Sequence, residues 1–186
     1  DGRGGKLVNA GIPEVMEIWN LVFIQYNRAT PGGKLELLPA KHVDTGMGFE
    51  RVTAVLQGKT SNYDTDVFSP LLAAIGDLLK AQYTGKLDDP KDVAFRVLAD
   101  HLRMLTFSLT DHAEFSNKGR GSVVRSVLRR AVRFGYQTFS QREPFLYKLV
   151  PAVVHQMGEA FPELTRQPGK VAEMIRGEEI DFLKTI

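Results

Sequence analysis

The stretch His42–Val52 (HVDTGMGFERV) constrains the fold most, because the residue pattern of the chain changes within it. An acidic residue, Asp44, stands just before two glycines, Gly46 and Gly48. Arg51 then opens an apolar pattern that is typical of a helix. Glycines allow a ligand to approach the backbone closely, and an arginine where glycines lead into a helix is typical of an anion site. The stretch therefore predicts a ligand site between an extended segment and a helix.

The residues before this junction have the composition of β-strands. Residues 15–28 (VMEIWNLVFIQYNR) are dense in β-branched and aromatic side chains, which predicts a long and well-buried strand. A turn signal at 30–33 (TPGG) follows, and residues 34–38 predict a short return strand that ends at Pro39. A β-hairpin that leads into the glycine stretch indicates an antiparallel sheet carrying the ligand site.

Helical periodicity dominates after Gly48, with apolar residues three or four positions apart and polar loops between the segments. The predicted helices cover residues 49–57, 67–81, 92–109, 143–161 and 168–186, with one more after a polar loop at 111–121. In that additional helix a single narrow arc collects Val124, Val127, Leu128, Ala131 and Gly135. The fold class is therefore α+β, with a β-rich part up to about residue 50 and helices beyond it.

The charge of the chain is distributed unevenly. Its formal net charge is only +2, yet residues 117–142 hold seven basic residues and no acidic one. Four of them, Arg125, Arg129, Arg130 and Arg133, lie on the side of their helix opposite the apolar arc. Such a face is either a plain solvated surface or a surface for nucleic acid, and the residues alone leave both interpretations open.

Several classes of site and context are excluded by composition. The chain has no cysteine, so it forms neither a disulfide nor a thiolate metal site, and its four histidines lack metal-like spacing. We therefore expect no metal bound by this chain. No run of about eighteen apolar residues occurs, so no membrane span is expected. The chain begins at Asp1 without a methionine, and we expect it to be a piece of a longer protein.

Five segments follow one another in an order that resembles the alanyl-tRNA synthetases. They are EIWNLVFIQYNR (17–28), HVDTGMGFER (42–51), SNYDTD (61–66), RVLADHLR (96–103) and NKGRGSVVRSVLRRAVR (117–133). The resemblance covers nearly the whole chain. It implies that residues 1–60 are the C-terminal portion of a class II aminoacylation core, including motif 3. It also implies that residues 61–186 are a helical domain for the tRNA acceptor stem, incomplete at its C-terminal end.

The resemblance implies roles for six residues of the first part. Gly-x-Gly-x-Glu-Arg is similar to motif 3, whose arginine binds the ATP γ-phosphate, so Arg51 would be catalytic and bind ATP together with Gly48. The alanine pocket would consist of Asn20, Val22, Asp44 and Gly46, with Asp44 on the substrate amino group. The chemistry of these residue types agrees, because an ammonium needs a fixed carboxylate and a small side chain needs a tight apolar wall.

In the helical part, the resemblance implies contacts to tRNA. The family reads the third base pair of the acceptor stem, a G·U pair, from the minor groove with an asparagine ahead of Gly-Arg-Gly. Asn117 matches that position, and a second reader of the family, an aspartate, would lie beyond residue 186. Backbone phosphates would be held by Arg120, Arg125, Arg129 and Arg130.

The implied function of the longer protein is that of an alanine–tRNA ligase in the cytoplasm or a mitochondrion. Its partners would be the acceptor stem of the alanine tRNA, alanine, ATP with Mg²⁺ and the remainder of the same chain, without a membrane. This piece alone would be inactive, because motifs 1 and 2 would precede it. Ser122 and Ser126 stand where the family usually has a tyrosine and an arginine. These departures support an alternative, a non-catalytic RNA-binding or structural module derived from the synthetase body.

Overall fold

The computed structural model describes residues 4–8, 10–12 and 15–186, and these form an α+β chain as the sequence predicts. Residues 1–3, 9, 13 and 14, near the start of the predicted first domain, lie outside the described residues. The chain divides into two compact units, residues 1–65 and residues 66–186. The first unit contains α1 (Gly4–Leu7), β1 (Trp19–Asn27), β2 (Glu36–Met47), α2 (Phe49–Leu56) and a 3₁₀ turn (Asn62–Asp64).

The two strands form the predicted antiparallel hairpin, but the prediction of a well-buried strand is wrong. All nine residues of β1 are exposed, including Trp19 and Phe23, whose exposed fractions are 57% and 75%. The β-branched and aromatic composition specifies the extended backbone. Burial depends instead on a covering layer, which a two-stranded ribbon does not supply to itself. The hairpin therefore presents an apolar surface that its own strands leave uncovered.

The sequence predicts that the second strand ends at Pro39, but the strand continues to Met47. Ile24 pairs with His42 and Tyr26 pairs with Leu37, so the four residues 38–41 lie opposite the single residue 25. Proline has no N–H to donate to a strand ladder, and a bulge is one of the places where strands accommodate it. Pro39 thus interrupts the pairing locally without terminating the strand.

The second unit is helical, as predicted. Its helices are α3 (Ser69–Leu79), α4 (Pro90–Thr110), α5 (Gly119–Phe139), α6 (Val150–Met157) and α7 (Pro168–Leu183), with 3₁₀ turns at Leu146–Leu149 and Pro162–Thr165. The long helices α4 and α5 pack together. Fully buried side chains at their contact and around it include Phe95, Leu98, Leu102, Leu128 and Val132.

The start of α4 is built from two acidic side chains. Asp89 is the N-cap, and its carboxylate accepts hydrogen bonds from the backbone N–H groups of Lys91 and Asp92. Asp92 is itself buried and accepts from the N–H and hydroxyl of Thr84 and from the N–H of Lys86. Burial raises the pKa of Asp92, but these hydrogen bonds and the nearby Arg96 charge outweigh it, so the pKa lies below its usual value. The carboxylate of Asp92 thereby ties the preceding loop to the helix.

A buried carboxylate on α7 organises the segment before α6. Both oxygens of Glu179, which is fully buried, accept from the backbone N–H groups of Phe145, Leu146 and Tyr147 at 2.9–3.1 Å. Burial raises the pKa of Glu179, although the three N–H donors oppose that shift. In the same region a Cβ on Gly135 would lie 2.5 Å from Cε1 of Phe145, so α5 needs a glycine at this contact.

Candidate functional site

The hairpin register brings together the four residues for which the resemblance implies an alanine pocket. Asn20 pairs with Gly46, and Val22 pairs with Asp44. Side chains two positions apart share one face of a strand, and directly paired residues share the same face of the sheet. The four positions therefore form a compact square on one face of the hairpin.

The space beside Gly46 in this group of four residues is open. A Cβ built on Gly46 would meet no atom within 4 Å, so the space beside its backbone is free. Val22 next to it is 45% exposed, and the whole of β1 is exposed as well. The arrangement places an amide, an apolar side chain and a carboxylate around an accessible stretch of backbone, which suits a small zwitterion with a short side chain.

Arg51 lies in the first turn of α2, one step beyond the hairpin. Its Nη1 donates to the carbonyl oxygen of Glu17 at 2.7 Å, and the N–H of Gly48 donates to the carbonyl oxygen of Ile18 at 2.9 Å. A Cβ on Gly48 would lie 3.0 Å from Cδ of Arg51, so the glycine leaves room for the arginine stem. These contacts tie the helix start to the residues that enter β1 and hold an exposed guanidinium beside the strand ends.

In the second unit, Glu178 of α7 connects two arginines of α5. Its Oε1 accepts from Nε of Arg125 at 2.7 Å and from Nε of Arg129 at 2.9 Å, and its side chain is only 8% exposed. The local sequence around the arginines shows no acidic partner, because the partner is 49 to 53 positions away. Glu178 was therefore not predicted from the sequence. One signal in the sequence points to its burial: Glu178 shares a helix face with Ile175 and Phe182, which are buried.

The other residues for which the resemblance implies contacts to tRNA lie at the start of α5 and along its exposed side. Asn117 is exposed in the loop before the helix, and its Oδ1 accepts from Nη1 of Arg125. Arg120 is exposed one residue into the helix, and Arg130 is exposed with its guanidinium 6.0 Å from the ring centre of Phe134. Glu178 thus joins Arg125 and Arg129, Arg125 in turn holds Asn117, and Arg120 and Arg130 lie outside that group.

Ser122 and Ser126, which depart from the family pattern, bond to their own helix. The hydroxyl of Ser122 donates to the carbonyl oxygen of Gly119 at 2.7 Å, and that of Ser126 donates to the carbonyl oxygen of Ser122 at 2.8 Å. Serine hydroxyls in helices commonly bond to the backbone in this way. Both side chains are therefore held along α5.

Two absences apply to the described residues, 4–8, 10–12 and 15–186. Among them, no three histidine, aspartate or glutamate side chains gather where they could ligate a metal ion. None of the helices formed by these residues is both long enough and apolar enough to span a bilayer.

The chain belongs to a family of aminoacyl-tRNA synthetases. A family profile described as tRNA synthetases class II (A) matches residues 2–186, nearly the complete chain. The resemblance inferred from the sequence motifs is thereby confirmed at the level of the class.

Individual relatives narrow the similarity further. The chain is 58% identical over all of its 186 residues to an alanine–tRNA ligase of Chlorobium phaeobacteroides and 56% identical, again over its full length, to one of Chlorobaculum tepidum. It is 54% identical over 183 residues, 98% of its length, to an alanine–tRNA ligase of Bacteroides thetaiotaomicron. The chain spans 21% of the length of each of these relatives.

Proposed function

We propose that this chain is part of an alanine–tRNA ligase and supplies part of its alanine and ATP site and its acceptor-stem-binding helices. One observation of the structure carries the proposal. The hairpin register brings Asn20, Val22, Asp44 and Gly46 to one face, and the helix that follows β2 carries Arg51 in its first turn. The names of the full-length relatives support the choice of alanine.

Each residue of this square has a chemical task in the proposed site. The carboxylate of Asp44 would hold the α-ammonium of alanine, and Asn20 would donate to or accept from its polar groups. Val22 would form the apolar wall for a methyl group, and the bare backbone of Gly46 would let the substrate lie close. The four groups select for a small amino acid because a larger side chain would meet the wall.

The guanidinium of Arg51 fits a triphosphate. It is cationic and presents several N–H donors in a plane, which suits phosphate oxygens. Gly48 would let the nucleotide approach the backbone beside it. We propose that Mg²⁺ enters with ATP and is held mainly by the phosphates. A carboxylate oxygen of alanine would attack the α-phosphate of ATP, which forms the alanyl adenylate and releases pyrophosphate. A ribose hydroxyl of the tRNA terminus would then attack the alanyl carbonyl, which forms the ester and releases AMP. Positioning and charge stabilisation would carry both steps.

The second unit would bind the acceptor stem of the tRNA. Arg120, Arg125, Arg129 and Arg130 would contact backbone phosphates, and Asn117 would read the third base pair from the minor groove. Phosphate contacts give affinity that falls with salt, and the base contact gives the choice of sequence. The exposed position of Asn117 in a loop ahead of a basic helix supports this division of tasks.

The apolar surface of the hairpin supports a further partner, the remainder of the ligase. Large exposed side chains on the two strands and the adjoining helix start include Trp19, Leu21, Phe23, Val43 and Phe49. A contiguous apolar surface of this kind usually marks a contact with other protein. Because the named relatives are bacterial, we propose that the ligase acts in the cytoplasm.

Alanine-dependent ATP–pyrophosphate exchange by the full-length ligase tests the catalytic proposal. Asp44→Asn should lower exchange about 10- to 150-fold, because a hydrogen bond to a charged group contributes about 1.5–3 kcal/mol. Glu36→Gln is the matched control, since Glu36 lies exposed at the far end of the same strand. Exchange by Asp44→Asn equal to that of the unaltered ligase would refute the role of Asp44. No alanine-dependent exchange by the unaltered ligase would favour the non-catalytic module instead.

Binding of an acceptor-stem RNA duplex by residues 1–186 tests the second unit. Arg120→Ala and Arg130→Ala should weaken binding to every duplex sequence, and each should reduce the slope of log affinity against log salt by about one. Arg176→Ala is a control, because this arginine is paired with Glu173 on the exposed side of α7. An unchanged salt slope in both variants would contradict phosphate contact by these two residues.

A further inference from the structure

We propose that Arg125 is a positioning residue that fixes the orientation of the Asn117 side-chain amide. Its guanidinium bridges Glu178, through Nε, and Asn117, through Nη1. The proposal rests on the proposed function of the second unit in RNA binding. It assigns Arg125 and Glu178 to sequence selection, beyond the general attraction of a cation to phosphate.

The anchor of this bridge is well defined. Glu178 is 8% exposed, and a buried carboxylate is stable only when its charge is compensated. Arg125 and Arg129 both supply that compensation at Oε1, and Arg129 also lies over the Phe182 ring, 5.2 Å from its centre. An arginine side chain has about 2 kcal/mol of rotamer entropy to lose on ordering, and a buried anchor removes that freedom before any RNA binds.

The chemistry of arginine decides which way the amide points. A guanidinium has N–H donors and no acceptor, so the atom of Asn117 that faces it must be the carbonyl Oδ1. The Nδ2 group, with two donors, is then directed elsewhere. An unrestrained asparagine amide rotates broadly about its last bond and presents either an acceptor or a donor. With Arg125 in place, the Nδ2 donors of Asn117 point away from the guanidinium, and they suit the ring-nitrogen and carbonyl acceptors on base edges.

The backbone that carries Asn117 is also held. The hydroxyl of Ser116 donates to the carbonyl oxygen of Lys118 at 2.7 Å and accepts from the N–H of Lys118. A Cβ on Gly121 would collide with the carbonyl oxygen of Glu114 and lie 2.5 Å from Oγ of Ser116. The loop therefore packs directly on the first turn of α5. With the backbone held by the loop, the amide rotation of Asn117 is the freedom that Arg125 removes.

The test measures binding of residues 1–186 to two acceptor-stem duplexes that differ only in a G·U or G·C third pair. A wrong base pair commonly weakens specific binding by about 5- to 150-fold, so the unaltered chain should prefer the G·U duplex about ten-fold or more. Arg125→Lys keeps the charge but loses the planar fork that reaches two partners. It should reduce the preference to less than about two-fold. Because lysine keeps the charge that attracts phosphates, affinity for the G·U duplex should fall by a factor about five times larger than any fall in affinity for the G·C duplex.

Two comparisons separate positioning from a general effect. Arg133→Lys, an exposed arginine on the same helix, should keep the preference. In an Asn117→Ala background, Arg125→Lys should cause no further change in preference, because the two residues act through one contact. A preference retained by folded Arg125→Lys, or lost by an equal factor in both backgrounds, overturns the proposal. No preference in the unaltered chain would instead overturn the proposed function, and the positioning role with it.

An independent measurement uses NMR relaxation of the Asn117 side-chain amide in the free, unaltered chain, so it does not require any variant to fold. An amide fixed by Arg125 should have an order parameter near the rigid value of about 0.85. A value below about 0.6 would mean that the amide is mobile, and it would overturn the positioning role even if RNA preference is observed.

Discussion

The buried carboxylate of Asp92 makes a sharp test of how the second unit is stabilised. Its two oxygens accept three hydrogen bonds from Thr84 and Lys86, all at 2.7–2.8 Å. Asp92→Asn would replace one oxygen by an amide nitrogen that carries only donors. That nitrogen would face either the N–H of Thr84 or the N–H of Lys86, so at least one of these part-buried donors loses its acceptor.

The expected cost follows from these contacts. Hydrogen bonds to a charged group contribute about 1.5–3 kcal/mol against about 1 kcal/mol for neutral ones, and an unsatisfied buried donor costs about 1–3 kcal/mol. We expect Asp92→Asn to lower the free energy of unfolding by about 2–4 kcal/mol. Against a total stability of about 5–15 kcal/mol, this should move the urea midpoint by about 1–2 M.

The assay is urea unfolding of residues 1–186, followed by circular dichroism at a helix wavelength. Asp88→Asn is the matched control, because Asp88 lies exposed in the same loop, and it should change stability by less than about 0.5 kcal/mol. A loss of less than about 1 kcal/mol for Asp92→Asn would refute the reasoning from the three hydrogen bonds.

The pH dependence gives this prediction a second, independent check. The pKa of Asp92 is lower in the folded chain than in the unfolded chain, where it is about 3.9. The stability that Asp92 contributes is therefore fully present above about pH 5 and is lost as the pH falls through its folded pKa. The difference between Asp92→Asn and the unaltered chain should stay constant from about pH 5 to 8 and shrink below about pH 4. A difference that grows on acidification would contradict the assigned direction.

Two further predictions concern the contacts of α5 and α7. Gly135→Ala should destabilise the chain by about 1–3 kcal/mol, because its Cβ would press on the buried Phe145 ring. Gly177→Ala has open space at its Cβ and should stabilise the chain by about 0.5–1 kcal/mol. Equal urea midpoints for the two variants would contradict this. Glu179→Ala should lower the free energy of unfolding by about 3 kcal/mol or more, because the N–H groups of residues 145–147 lose their acceptors. Glu179→Gln should lower it less, because one acceptor oxygen remains. Equal stability of the two variants in the same urea titrations would refute this.

Helices were predictable from the sequence because their signals are local. Apolar spacing predicted a helix over residues 92–109, and α4 begins only two residues earlier, at Pro90, with Asp89 as its N-cap. The hairpin was predictable as a pairing of two extended segments around a turn. What the local pattern could not provide was the bulge at Pro39, since a proline that ends a strand and one that bulges it look alike in sequence.

Some features of the candidate site were likewise predictable from the sequence, and others were not. The motif containing Asp44 and Arg51 was visible in the sequence because its residues are neighbours along the chain. The pairing of Asp44 with Val22 depends on register, which the bulge shifts by several residues, so counting from the turn would have misplaced it. The pairing of Glu178 with the arginines of α5 could not be predicted, because an ion pair between two helices does not change the local charge pattern of either helix.

The bulge at Pro39 has a consequence for how the hairpin can change over evolution. It separates the pairs at the tip, Tyr26 with Leu37 and Asn27 with Glu36, from the pairs that hold the candidate alanine site. Residues 38–41 already form an unpaired excess, so an insertion or deletion there or in the turn would be taken up locally. We therefore expect the tip to tolerate changes in length and composition while Asn20 stays opposite Gly46.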